Sequence, residues 1–509
     1  MNELVTMNLL SSTTQSVRTV RIMRVKWSQI NWQLAESYIN RLQIRIVKAT
    51  LEEKWRLVKR LQYLITHSFY GRAIAVKRVI SNKGKHTAGV DGVVWKSDTD
   101  KEKAIENLKT TKYKSKLLRR IYIEKFGKKE KRPLGIPTMQ DRAMQALHLL
   151  GLEPVAETQA DTTAFGFRKY RGAQDAKEYI FSVLCRKDSP QWVLEGDIKG
   201  CFDNISHDYL VENIIMDKRT LKQFIKSGLV FEKRLYPTNK GTPQGGIISP
   251  TLANITLDGM EHLIKERYWS NLKGTISVKY NNKKVHLAKY ADDFIVTASD
   301  QKTLEEIREL LKKFLFERGL ILSEEKTMIS HINDGFDFLG WNFRKYNGKL
   351  IIKPSTKSIN KIKQTVSQII KVNKTSTQAD LIYQINQVTR GWAEYHHTVC
   401  AKETFSKIDH CIWEMLRRWC KRRHPNKSKD WIYNKYWKTH KGRSWSFKTE
   451  ENILFYMNDM PILRNPQLRL GTNPFLDVDY FDKRAKDRRF KRAKAIKSNK
   501  AAIIGYYSL

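Results

Sequence analysis

Between residues 119 and 340 short strand-forming runs alternate with amphipathic helical stretches, and two of these runs carry aspartates. Such alternation predicts an α/β domain. RRIYIEKF, QWVLEGDI and KYADDFIVT read as strands. TLEEIRELLKKFLFERG reads as a helix with Leu304, Ile307, Leu311 and Phe314 on one face and Gly319 closing it. GFDFLGWNFRKYNGKLIIKP predicts a hairpin turning at Asn347-Gly348. Within AKYADDFIVT (288–297), Asp292 and Asp293 sit side by side in an otherwise apolar run. Ionised carboxylates repel one another and are rarely buried unpartnered, so a cation is expected there.

The flanking sequence has a different character. From 31 to about 75 it is helical and basic, with Leu34, Tyr38 and Leu42 spaced for one stripe. NKGKHTAGVDG (82–92) reads as a loop. After KPST (353–356) the chain is helical, basic and rich in tryptophan, where Trp413 and Leu416 read as core. Residues 483–500 hold ten basic residues against one acid.

Charge narrows the function classes. Lys and Arg number 94 against 52 Asp and Glu, a net charge of +42, which calls for a polyanionic partner, nucleic acid first. A 41% hydrophobic content supplies real cores. The five cysteines form no C-x-x-C pair, which argues against a zinc finger or disulfide framework. No apolar run of about 18 residues and no signal-peptide pattern is present, so a cytosolic, reduced protein without membrane partners is expected.

Two Mg²⁺ ions can activate an attacking hydroxyl and neutralise a leaving pyrophosphate, and they need hard oxygen ligands. A third carboxylate is offered by VLEGDIKGCFDNISH (193–207), where Asp197 ends an apolar strand. A helix N-cap is the other reading of an acid there, a role for which Asp203 is better placed; a lone pair of aspartates also suits a metal-free surface turn.

Taken together, YADD (290–293), DIKGCFDNI (197–205) and GTPQGGIISPTLANITLDGM (241–260) resemble the signature blocks of reverse transcriptases. More narrowly, the chain resembles bacterial group II intron-encoded proteins, reverse transcriptases that also act as intron maturases. KRPLGIPTMQDRAMQ (131–145), FGFRKYRGAQDA (165–176), RGLILSEEKT (318–327) and GFDFLGWNF (335–343) resemble further blocks. The likeness continues through TRGWAEYHH (389–397) and RRHPNKSKDWIYNKYW (422–437), covering residues 30–480 in outline.

The resemblance implies an α/β right-hand polymerase fold: fingers and palm of antiparallel sheet plus helices, then an α-helical thumb and a basic helical C-terminal region. It implies a basic helical N-terminal extension over 1–85, fingers and palm over 86–350, a thumb (maturase domain X) over 351–425 and a DNA-binding region over 426–509. Asp197, Asp292 and Asp293 would be catalytic and, with the Ile198 carbonyl, hold two Mg²⁺ ions. Lys125, Arg132 and Gln244 would bind the incoming dNTP, Phe202 would exclude a ribose 2′-hydroxyl, and Lys326 would protonate pyrophosphate. Phe338, Leu339 and Gly340 would form the primer grip. On residue type alone, surface ion pairs would also account for Lys125 and Arg132, a strand-to-helix turn for Gln244, core packing for Phe202, Phe338 and Leu339, and a surface lysine for Lys326.

The implied activity is RNA-directed DNA polymerisation coupled to splicing: binding intron RNA, then copying it by target-primed reverse transcription during intron mobility (retrohoming). The implied partners are group II intron RNA, an RNA template with DNA primer, target DNA and dNTPs, in the cytoplasm and at the nucleoid when on target DNA. No Cys/His-rich HNH endonuclease segment follows Cys420, which puts second-strand cleavage of the target in doubt. A splicing-only maturase, or a reverse transcriptase redeployed for defence, is the alternative.

Overall fold

The computed structural model describes residues 26–111, 113–124, 130–232, 234–440 and 442–506, with side chains described up to 495. Lys125 lies outside the described residues.

The N-terminal helices α1 (Trp32–Leu51), α2 (Trp55–His67) and α3 (Phe69–Ser81) pack around α5 (Met139–Gln159), with α4 (Asp98–Asn107) beside α3. The buried stripe of α1 is Ala35, Ile39, Leu42, Ile46 and Ala49, whereas Leu34 is exposed and Tyr38 only half-buried. Of the expected stripe Leu42 is buried but Leu34 and Tyr38 fall off it, because strict four-residue spacing drifts off a 3.6-residue turn. α5 is buried almost all round, as befits a helix enclosed by three others.

Two antiparallel-rich sheets frame the centre. The first has the order β2-β1-β4-β5, with β1 (Leu118–Glu124), β2 (Lys131–Ile136), β4 (Leu229–Phe231) and β5 (Arg234–Tyr236); only the β1–β4 pair is parallel. The second has the order β6-β7-β3-β8 and is antiparallel throughout, with β3 (Trp192–Asp197), β6 (His286–Tyr290), β7 (Asp293–Ala298) and β8 (Met328–His331). Its helices are α6 (Ala173–Leu184), the single turn α7 (Cys201–Asn204), α8 (His207–Asn213), α9 (Lys218–Ile225), α10 (Ser249–Leu257), α11 (Met260–Tyr268) and α12 (Gln301–Phe316). The expected apolar face of α12 is buried, and Gly319 (φ 74°) ends its last turn.

A third sheet, β11-β10-β9, joins β9 (Phe336–Phe338), β10 (Trp341–Tyr346) and β11 (Lys349–Pro354). Asn347 (φ 48°) and Gly348 (φ 76°) both take left-handed conformations between β10 and β11, the type I′ geometry anticipated there. One hydrophobic cluster runs from Val193 and Ile295 through Phe336, Trp341 and Phe343 into helices α13 (Thr356–Val372), α14 (Gln378–His396) and α15 (Lys402–Arg423). Leu416 is fully buried and Trp413 packs against the same cluster, so both are core. This is a right-hand polymerase fold built from helices and antiparallel sheets.

The C-terminal part is less uniformly helical than expected. After α16 (Lys429–Tyr436) comes a hairpin of β12 (Trp437–His440) and β13 (Arg443–Phe447), closed onto the core through Trp437 and Phe447. Residues 460–477 then run mostly irregularly before α17 (Val478–Tyr506). Aromatic residues in SWSF outweigh the helical, basic background once a hydrophobic surface is available to cover. No described helix is long and apolar enough to cross a membrane.

Candidate active site

The register of β3 against β7 places Asp197 directly opposite Asp293. Asp292 stands on the two-residue turn that joins β6 to β7, where Tyr290 pairs with Asp293. Its partner in the turn, Ala291, has φ 57°, a conformation that costs a non-glycine residue ~1 kcal/mol. The turn is held from behind: the Phe165 N–H donates to the Lys289 carbonyl (2.9 Å) and the Lys289 N–H to the Thr163 carbonyl (3.0 Å). Gly166 lies so close beneath that any Cβ there would collide with the Ala291 backbone nitrogen. Two adjacent acids sit in a strand-forming run because the turn lifts one carboxylate off the strand while the sheet aims the other at Asp197.

Burial pushes the Asp292 carboxyl above its ordinary range, helped by the charge of Asp197. Asp293 is pushed up to about 6, first by burial and then by the charges of Asp292 and Asp197. Arg132 on β2 and Lys326 act on Asp292 in the opposite sense, and Lys326 and Lys357 at the start of α13 do so on Asp293. The Lys326 ammonium sits 2.5 Å from Asp197 Oδ2, which raises the lysine pKa. It is carried by a tight turn, with the Lys326 N–H donating to the Ser323 carbonyl and the Ser323 N–H to that of Asp197.

Among the described residues no three His, Cys, Asp or Glu side chains are drawn close enough to hold a metal ion as they stand. The donor set nonetheless fits a hard divalent cation. Two of the three carboxylates are destabilised as anions by burial and by one another, and a cation removes that repulsion. The backbone adds a fourth oxygen. Asp197 O and Lys199 N–H bond to the 321–323 segment, so strand alternation turns the Ile198 carbonyl toward the β7 flank.

Two loops complete the surroundings. The Gly135 N–H on β2 donates to the Gln244 carbonyl (2.7 Å), and a Cβ on Gly245 (φ 115°) would meet the Gly135 carbonyl at 2.7 Å. The Thr242 N–H donates to the Phe202 carbonyl (2.6 Å) and the Gly241 N–H to that of Ile205 (2.8 Å). The Gly-Thr-Pro-Gln-Gly loop is thus clamped between β2 and α7, beside Phe202. The Phe202 ring is half-buried and stands edge-on to Phe167 at 6.3 Å. Asp203 does not cap a helix. It lies inside the single turn α7, which starts after Gly200 (φ 56°), and Ser206 caps α8.

Phe338 is buried, and Leu339 (φ 50°) with Gly340 (φ 81°) forms the tight turn between β9 and β10. The Leu339 carbonyl accepts a hydrogen bond from the Tyr395 hydroxyl on α14 (2.8 Å), while Trp341 stacks on the Tyr395 ring at 4.6 Å. Asp197, Asp292, Asp293, Arg132 and Lys326 therefore form one charged locus, with Gln244 and Phe202 on adjoining loops and residues 338–340 bound to α14.

Several contributors were not legible in the sequence. Lys289 is fully buried on β6, its ammonium 3.0 Å from both Asp161 Oδ2 and Asp258 Oδ1 and 2.7 Å from the Leu257 carbonyl. A lysine in a strand next to YADD reads as a surface residue, and nothing local announces two acids distant in the chain. Lys357 and Tyr395 reach the site only through helix packing.

Residues 123–343 match the reverse transcriptase (RNA-dependent DNA polymerase) family, residues 27–108 the N-terminal domain of reverse transcriptase, and residues 359–437 the group II intron maturase-specific domain. Protein YkfC of Escherichia coli is 34% identical over 316 residues, 56% of this chain and 82% of that protein. The group II intron-encoded protein LtrA of Lactococcus lactis is 30% identical over 358 residues, 59% of each chain. A solved structure of telomerase from Candida albicans aligns over 63% of this chain and 64% of that one, at 11% identity and a TM-score of 0.37, too low for any inference. The family matches place the chain in the reverse transcriptase class. The chain belongs to the group II intron-encoded reverse transcriptases that carry a maturase domain, and it spans about three-fifths of LtrA.

Proposed function

We propose that the protein is an RNA-directed DNA polymerase that binds group II intron RNA, promotes its splicing and copies it into DNA from a target-site primer. The observation that carries this reading is that Asp197 faces Asp293 across the β3–β7 register, with Asp292 on the adjoining turn and Lys326 and Arg132 acting on the same carboxylates. Asp197, Asp292, Asp293 and the Ile198 carbonyl would hold Mg²⁺, which when bound supplies charge neutralisation at the attacking hydroxyl and the leaving pyrophosphate. Arg132 would bind triphosphate oxygens by its planar fork. Lys326 would leave Asp197 once that carboxylate has another cation, becoming free to meet the pyrophosphate. Residues 86–350 would act as fingers and palm, 351–425 as thumb and 426–509 in DNA contact, with dNTPs, template RNA and target DNA as partners.

Primer extension on an RNA template with Mg²⁺ and dNTPs, beside an intron-splicing assay at near-physiological magnesium, tests the reading. Splicing without extension would leave a maturase only, and extension without splicing would point to a redeployed polymerase.

Two substitutions probe the geometry. Phe202→Ala is expected to raise ribonucleotide incorporation at least about tenfold, since one lost steric contact is worth ~1–3 kcal/mol of discrimination. Unchanged sugar selectivity in single-nucleotide addition would remove Phe202 from this role. Gly166→Ala is expected to slow nucleotide addition on the order of a hundredfold, because the displaced Ala291–Asp292 turn carries a carboxylate out of line. A variant with native circular dichroism and normal rate would show that the turn tolerates the shift.

A further inference from the structure

The segment leading into α17, and the first half of that helix, are packed into the polymerase body. Arg171 donates to the carbonyls of Leu470 and Thr472, and the Phe481 ring is buried against Phe165 and Ala176 and stacks on Tyr170 at 5.1 Å. Asp175, the N3 residue of α6, is 2% exposed and accepts from the Gly172 N–H, Asn465, Arg484 (2.5 Å) and Arg488 (2.7 Å). One turn further along, Arg492 pairs with Glu394 on α14 at 2.8 Å.

Arg484, Arg488 and Arg492 follow at four-residue spacing and so share one face of α17. That face meets an acid on the palm helix α6 and then an acid on the thumb helix α14. Another set on the same helix, Lys483, Lys486, Arg489 and Lys491, is exposed together with Phe490. Among the described residues the basic run thus divides into arginines paired with acids and a set that lies open to solvent and to a polyanion. The buried node anchors the helix, because Asp175 is desolvated and doubly paired. The exposed Arg492–Glu394 pair is weaker and sets the orientation of what is already anchored.

We propose that α17 is a brace between palm and thumb, with Arg484, Arg488, Arg492 and their acids Asp175 and Glu394 acting as positioning residues for processive synthesis. This rests on the polymerase reading. Glu394 precedes Tyr395, whose hydroxyl holds the Leu339 carbonyl. A shift of α14 therefore moves the Leu339–Gly340 turn that would grip the primer. Loosening the brace lets the thumb release the duplex between additions, while the carboxylate site keeps its geometry within a bound complex.

The test uses the full-length protein on a DNA primer annealed to a heteropolymeric RNA, with a trap so that products report one binding event. Arg492→Glu and, separately, Arg488→Met are expected to shorten products several-fold, on the order of three to ten, by faster dissociation. The rate of the first nucleotide addition in pre-bound complexes should stay within about twofold of wild type. The exchange variant Arg492→Glu with Glu394→Arg should restore product length, and Glu394→Arg alone should shorten it, the opposite of what added positive charge would do to RNA binding. Hydrogen exchange of the α14 amides provides a readout independent of activity, expected to quicken in Arg492→Glu and to recover in the exchange. Normal product length in both single variants, a parallel loss of first addition, failure of the exchange to restore length, or unchanged α14 exchange would each overturn the brace. An inactive wild type would instead overturn the polymerase reading, and hydrogen exchange would still decide whether the brace exists.

Discussion

Asp292→Ala is expected to reduce primer extension by at least about a thousandfold, ~4 kcal/mol of transition-state stabilisation, while RNA affinity stays within about twofold. The two outcomes separate because they draw on different parts of the molecule. RNA binding draws on the distributed excess of 94 basic over 52 acidic residues, which one substitution barely alters. Extension would draw on the carboxylate that the turn at 291–292 presents beside Asp197 and Asp293. The same substitution should leave the thermal midpoint unchanged or raise it, since Asp292 is held as a half-buried anion against the charge of Asp197. A purified variant that still extends a primer would refute the assignment of Asp292 as a metal ligand. Loss of activity together with loss of fold would mean that its carboxylate is structural.

Lys289→Met is the second large effect, this time on stability. It should cost ~3–5 kcal/mol, because it leaves Asp161 and Asp258 buried without the ammonium that bonds both. At ~2–4 °C per kcal/mol for a domain of this kind, the midpoint should fall on the order of 10 °C. The penalty has a definite pH direction. Burial already pushes the Asp258 carboxyl up to about 6, and Lys289 is what restrains it. Without the lysine its folded-state pKa rises further above the unfolded value, so stability is lost as pH rises through it and regained on acidification. The gap between variant and wild type should therefore be wider at pH 8 than at pH 5.5 in thermal unfolding. A pH-independent gap would implicate packing around the β6 strand. Adding Asp161→Asn and Asp258→Asn should recover much of the loss by removing the stranded charges. Because the Lys289 backbone also pairs with residues 163 and 165 behind the YADD turn, any residual fold of the single variant should be slow in catalysis.

Legibility in the sequence followed the range of the interaction. The apolar face of α12 and the Asn347-Gly348 turn are local matters of helix period and left-handed tolerance, and both stand in the structure as the sequence predicts. In α1 Leu42 is buried as expected while Leu34 and Tyr38 fall off the buried stripe, because strict four-residue spacing drifts off the 3.6-residue turn. Asp203 looked like a cap because acids favour that position, but Gly200 starts the single turn earlier and leaves Asp203 inside it. In the C-terminal part, basic residues dominate the composition, whereas the hairpin at 437–447 is decided by an apolar surface on α15 and α16 that a local window does not contain.

The sequence by itself determined the class of chemistry: acids at the ends of apolar strands, ordered blocks of reverse transcriptase type and a charge excess that calls for nucleic acid. These follow from residue type and spacing along the chain, where patterning and motif order are already explicit. Only the tertiary structure decided that Asp197 faces Asp293 and that Lys326 rests on Asp197. It alone showed that a buried lysine supports the turn behind them, and that Arg484, Arg488 and Arg492 of a basic helix are paired with Asp175 and Glu394. Strand register and long-range ion pairing depend on which distant segments share a desolvated space, and desolvation determines which charges must pair and which stay free for a polyanion.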